Sequence, residues 1–325
     1  MSNGGPHGNG SRLQRIVTFG NCQAEALASF LRRVLPATSY SISFYSNNSR
    51  TGDLRPEQEI LGAVREADVV VYQPLDDIHG ALSEASVRAT VRSADAAVSF
   101  VYLFNSGICS LIHVPQALDH PYGFIFGEET IIDRLDQGAS AETVIDEYVE
   151  GSLDFGVSER FESCLAELER REQSTKIKLA GFIHSNYRQR RQFLTHNHPS
   201  TDLLVELCVK LRALTDLPID LAALLRIQGE NAAGLPFDEA PVSPHDASTL
   251  GYEFGHDPDW VERGTGLIRR IAADYDGDPE KRGTSSTRGR PNWHLGHGKN
   301  LMPSPGDSPA EAVRDERSVR KSQPS

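Results

Sequence analysis

Long apolar runs are missing from this chain. The longest, residues 96–104, reaches about half of what a membrane span needs. The first residues hold none of the apolar core of a secretory leader, so the chain reads as cytoplasmic, with no membrane span. Cysteine is scarce. Cys22, Cys109, Cys164 and Cys208 are widely scattered and form no CxxC pair and no zinc spacing. That excludes a disulfide framework and a zinc module; in a reducing compartment the thiols are expected to stay reduced, with no metal. There is no P-loop, no GxGxxG, no GxSxG and no HExxH, which removes the simplest nucleotide-dependent, α/β-hydrolase and zincin readings. There is no internal repeat. Positive charge is also short, 33 Lys and Arg against 45 Asp and Glu, net −12. An acidic body disfavours nonspecific contact with nucleic acid.

What is present is organised unevenly. At 325 residues the chain can build one large domain or two small ones around a sizeable core. Residues 1–12 and 276–325 are poor in aliphatic side chains and are expected to be disordered, leaving 13–275 as a single α/β catalytic domain. The tail is basic: from Lys281 on, nine Lys and Arg face four Asp and Glu. A solvated tail is the plain reading of it; contact with an acidic surface is the other.

Residues 15–19 are a short β-branched strand, punctuated by Gly20 and Asn21. Residues 24–35 then carry Leu27, Phe30, Leu31 and Val34 at helical spacing until Pro36 stops the helix. Residues 41–45 alternate like a second strand, and a helix is predicted at 57–65. The runs 67–72 and 97–104 suit strands buried on both faces. Alternating strands and helices predict an α/β fold, a mainly parallel sheet flanked by helices. The second half is helix-rich, with helices predicted at 141–149, 158–173, 176–186 and 201–214, the last capped by Ser200. From 217 to 275 the pattern weakens and proline-rich loops are expected.

Four places carry chemistry-bearing residues. At Gly20-Asn21-Cys22-Gln23 a strand feeds a glycine turn and a helix begins at once. A thiol there meets unpaired backbone N–H groups and the positive helix end, which favour thiolate and can hold an oxyanion; Asn21 and Gln23 add amide donors. The alternative is a small apolar residue filling a tight turn. At residues 195–200, His196 and His198 flank Asn197 ahead of Pro199 and Ser200. They suit a base with its orienter, or a polar loop before a capped helix; a metal reading lacks acidic or cysteine ligands at zinc spacing. Gln73 ends a buried strand and could reach the same sheet edge as Cys22, or simply belong to a turn. Arg188, Arg190 and Arg191 form a basic cluster that suits phosphate groups or a solvated helix face.

Taken together, the strand–GNCQ–helix start, the Tyr72-Gln73-Pro74 strand end, the LAELERRE helix, the KIKLAGFI stretch and RRQFLTHNHPS resemble the WcbI-type polysaccharide biosynthesis family over residues 15–214. The resemblance implies a CoA-dependent acyltransferase, an O-acetyltransferase acting on a sugar or polysaccharide precursor of capsular or other surface polysaccharide. Coenzyme A or acetyl-CoA would be the acyl donor and a sugar the acceptor. Cys22 maps onto the GNCQ cysteine and His198 onto the HP histidine. The arrangement is similar to SGNH/GDSL hydrolases, and the β-strand start is flavodoxin-like: a nucleophile follows the first strand and a late histidine precedes a proline and a helix. Cysteine stands where serine is usual, and Thr195 stands where an acid is usual, leaving His196 or a distant carboxylate as orienter of His198. Residues 104–115 match poorly. In the mechanism this implies, His198 is the general base, acting on Cys22 or directly on the acceptor. The Cys22 N–H, Asn21 and Gln73 stabilise the oxyanion, and the three arginines hold the CoA phosphates. An esterase or thioesterase with a cysteine nucleophile, and a non-catalytic CoA- or sugar-binding protein, are the alternatives.

Overall fold

A computed structural model describes residues 12–47, 55–115, 124–229 and 239–277. Apart from Arg12, Asp276 and Gly277, the two ends expected to be disordered lie outside the described residues. The N-terminal third runs β1 (Gln14–Gly20), α1 (Cys22–Val34), β2 (Tyr40–Ser46), α2 (Glu57–Glu66), β3 (Val69–Tyr72), α3 (Glu84–Thr90) and β4 (Ala97–Ser99). The four strands form one sheet in the order β2-β1-β3-β4, every pair parallel.

Alternation along β1 explains how that sheet is covered. Val17 and Phe19 join Val70, Tyr72 and Ala97 on one face, under Ile60 and Val64 of α2 and Val87 of α3. Ile16, Val71 and Val98 face the other way, into a larger core that includes Leu27, Phe30, Leu31 and Val34 of α1. Burying both faces is what the continuous apolar runs predict. It also sends the connections from β1 and from β2 to opposite faces. The chain therefore parts above the carboxyl ends of β1 and β3, the place where open α/β sheets hold ligands.

The remainder supplies the larger core. β5 (Ile112–Val114) and β6 (Phe124–Phe126) form an antiparallel pair. α4 (Glu128–Asp136), α5 (Ala141–Glu150), α6 (Val157–Glu172) and α7 (Ala180–Asn186) follow. A second hairpin, β7 (Phe193–Thr195) with β8 (His198–Pro199), leads into α8 (Thr201–Leu214), α9 (Leu221–Gly229), α10 (Pro244–Leu250) and α11 (Trp260–Gly277).

Three expectations are corrected. The strand predicted at 97–104 ends at Ser99, because Leu103 turns both its backbone groups to a side chain instead of a ladder. The helix predicted from 176 begins at Ala180. The Lys176 and Ile177 N–H groups donate to the Ser99 hydroxyl (3.1 Å) and carbonyl (2.9 Å), while the buried Glu172 carboxylate accepts from Leu179 and Ala180 and caps α7. Burial and those contacts leave the Glu172 carboxyl above its ordinary range, desolvation outweighing the N–H donors. The described residues of 217–275 hold three helices rather than loops alone; α10 starts on a Ser243–Asp246 capping box with Pro244 in its first turn. Among the described residues no helix is long and apolar enough to cross a membrane.

Candidate active site

Asn21 is the N-cap of α1. Its Oδ1 accepts from the Gln23 N–H at 2.9 Å, which leaves Cys22 as the first helical residue, partly exposed. The turn is held from the end of β3 as well. The Asn21 N–H donates to Gln73 Oε1 at 2.8 Å. Only glycine permits this: a Cβ at Gly20 would lie 2.4 Å from Gln73 Oε1 and 2.8 Å from the Ala24 Cβ. Gly20 thus sets the spacing between the turn and Gln73.

Gln23 is fully buried, and its amide uses every hydrogen-bonding position it has. Nε2 donates to the carbonyls of Leu103 (2.7 Å) and Asn197 (2.8 Å). Oε1 accepts from the Leu103 N–H (2.9 Å) and from Gln73 Nε2 (3.0 Å). The expectation that Gln23 offers an amide to substrate is therefore corrected: the residue beside Cys22 is a hub that ties the cysteine turn to the residue beside His198. Gln73 is committed likewise through its carbonyl and one N–H. Asn21 Nδ2 is the amide donor of this cluster without a hydrogen-bond partner among the described residues.

His198 pairs with Thr195 across the β7–β8 hairpin, its Nδ1 at 2.6 Å from Thr195 Oγ1. Burial alone lowers its imidazole from the ordinary value near 6.5 to about 4. At neutral pH the ring is uncharged and able to take a proton. His196 sits among aromatic rings. The His196 ring stacks edge-on to Phe104 (5.6 Å between centroids) and lies 5.2 Å from Phe126, and its carbonyl accepts from the Asn105 N–H at 2.7 Å.

The three arginines differ in their surroundings. Arg191 donates to both oxygens of Asp257 at 2.8 Å and to Glu239 at 2.7 Å, with its guanidinium over the Phe254 ring. Arg190 meets Asp202 at 3.6 Å. Both charges face carboxylates, which weakens them as phosphate anchors. Arg188 is exposed and donates to the Tyr187 hydroxyl at 3.0 Å. Sequence reasoning missed Tyr102, Leu103, Asn105 and Asn197, which lash the loop after β4 to the hairpin. The signal for one of them was local: Asn105 precedes Ser106-Gly107, and its Oδ1 accepts from the Gly107 N–H at 2.8 Å in an Asx-turn.

An open parallel sheet with a thiol at its first strand–helix turn, and a neutral histidine tied to the neighbouring backbone, defines an α/β protein with a candidate site at the topological switch point. The chain belongs to the WcbI family, described as polysaccharide biosynthesis enzymes, whose family model matches residues 15–219. A solved structure of WcbI, described as a novel polysaccharide biosynthesis enzyme in its native form without a disulfide bond between coenzyme A and one of its cysteines, shares the fold. It aligns with 84% of this chain and 98% of its own, at 19% identity and a TM-score of 0.52. No curated protein matches the chain in sequence.

Proposed function

We propose that the protein is an acyltransferase that moves an acyl group, acetyl in the simplest case, from coenzyme A to a sugar hydroxyl in polysaccharide biosynthesis. The observation that carries this reading is the Gln23 hub. It bonds the segment that bears Cys22 to the segment that bears a neutral His198. Family membership and the CoA named for the WcbI structure supply the donor class.

In the covalent scheme His198 takes the Cys22 proton as the sulfur attacks the thioester carbonyl. The tetrahedral oxyanion gathers at the start of α1, where helical N–H groups and Asn21 Nδ2 stabilise it. The intermediate collapses, the C–S bond to CoA breaks, and the proton passes from His198 to the departing CoA thiolate. A sugar hydroxyl then gives its proton to His198 and attacks the acyl-cysteine, which regenerates the thiol. In the direct scheme His198 activates the sugar hydroxyl and Cys22 takes no acyl group. Loss of turnover in Cys22→Ala with an unchanged fold supports the first; full activity rules it out.

The test is product analysis with acetyl-CoA, with and without nucleotide-sugar acceptors, alongside calorimetric titration of CoA and acetyl-CoA. Binding and acetylated sugar are expected. Thiol release that is indifferent to acceptor would make the protein a thioesterase. Binding without turnover would make it a carrier, and no binding would overturn the assignment.

A further inference from the structure

We propose that Thr195 is the positioning residue of His198 and fixes its neutral ring as the tautomer protonated on Nδ1, so that Nε2 is the basic nitrogen. The base role rests on the acyl-transfer reading; the tautomer does not. Thr195 is buried, sits opposite His198 in the hairpin, and places its hydroxyl 2.6 Å from Nδ1. A hydroxyl has one hydrogen to give. Asn197 determines where it goes. Asn197 Nδ2 donates to the Tyr102 hydroxyl at 2.9 Å, which turns Oδ1 toward Thr195, and Thr195 Oγ1 donates to that oxygen at 3.4 Å. With its hydrogen pointed at Asn197, the Thr195 oxygen accepts from Nδ1–H. Asn197 is held in turn by Gln23 through its carbonyl. The line Tyr102–Asn197–Thr195–His198 therefore starts in the loop after β4 and ends on the imidazole.

A hydroxyl orients without adding charge. A carboxylate in that place would stabilise the imidazolium and strengthen the base. Thr195 leaves a weak base, which agrees with the low value that burial sets for His198. A weak base serves a thiol, whose proton leaves near pH 8.5 in water, far better than a serine hydroxyl. An uncharged orienter beside His198 is thus compatible with the cysteine nucleophile of the reading above.

The experiment is long-range ¹H–¹⁵N correlation NMR of the ¹⁵N-histidine-labelled full chain, with His198→Gln to assign the ring. Wild type and Thr195→Ser should show the Nδ1–H tautomer, and Thr195→Val should lose it. An Nε2–H ring in the wild type overturns the proposal even if no variant folds, as does an unchanged tautomer in folded Thr195→Val. In parallel, Thr195→Val should cut kcat about 100-fold with KM held, and serine should restore it. The predicted tautomer without any acyl transfer would sink the function above and leave the positioning role standing.

Discussion

The turn that carries Cys22 and the hairpin that carries His198 are held by opposite means. Around Cys22 the fixing is polar and redundant. Gln23, wholly buried, makes four hydrogen bonds, and Asn21 and Gln73 add two more. Around His198 the fixing is apolar, with Phe193 and Pro199 buried in the hairpin, Phe104 and Phe126 around the neighbouring His196, and one hydroxyl on the ring. A lattice of amides fixes the position of the turn. Burial sets the chemistry of the imidazole, and the Thr195 hydroxyl meets its Nδ1.

The comparison breaks most visibly at the hub. Gln23→Leu strands the Leu103 N–H and carbonyl, the Asn197 carbonyl and a Gln73 N–H away from water, and should cost about 4 kcal/mol of folding stability. Chemical denaturation measures it, and a loss below about 1 kcal/mol would mean that the hub does not hold the site.

The second break is by pH. The folded state holds His198 at about 4, below the 6.5 of an exposed ring, so the unfolded chain binds the extra proton first. Stability from this group is complete above about pH 6.5 and drains away as pH falls toward 4, by about 2–3 kcal/mol. Denaturation midpoints of wild type and His198→Gln should converge across that window, and parallel curves would contradict the burial argument. Smallest of all is Arg190→Ala. Its contact with Asp202 is 3.6 Å long and the arginine side chain is mostly exposed, so the change should stay within about 0.5 kcal/mol and leave CoA binding intact.

The two sides of the site differ in how far the sequence shows them. The cysteine turn was legible because its signals are local: β-branched residues, then Gly20 and Asn21, then apolar residues at helical spacing. The α8 cap at Ser200 was legible for the same reason. The inward aim of Gln23 was not, because its partners lie 80 and 174 positions away. An amide beside a reactive thiol looks like a substrate contact until Leu103 and Asn197 fill it. Thr195 reads in sequence as a missing acid, and its role emerges only when a hairpin folds it against His198. After 217, α9 and α10 were hidden by their short length, and α10 also by Pro244, which starts a helix there instead of breaking one.

The account turns on Cys22 and His198 acting as one unit, and thiol reactivity tests that directly. Burial pushes Cys208 up to about 12, Cys109 well above the ordinary thiol value, and Cys164 upward as well, so all three should alkylate slowly at neutral pH. Iodoacetamide labelling, followed site by site by peptide mass spectrometry, should find Cys22 modified first in the wild type, and this lead should shrink in His198→Gln. Equal labelling of Cys22 and Cys164, or a lead untouched by His198→Gln, would contradict the account.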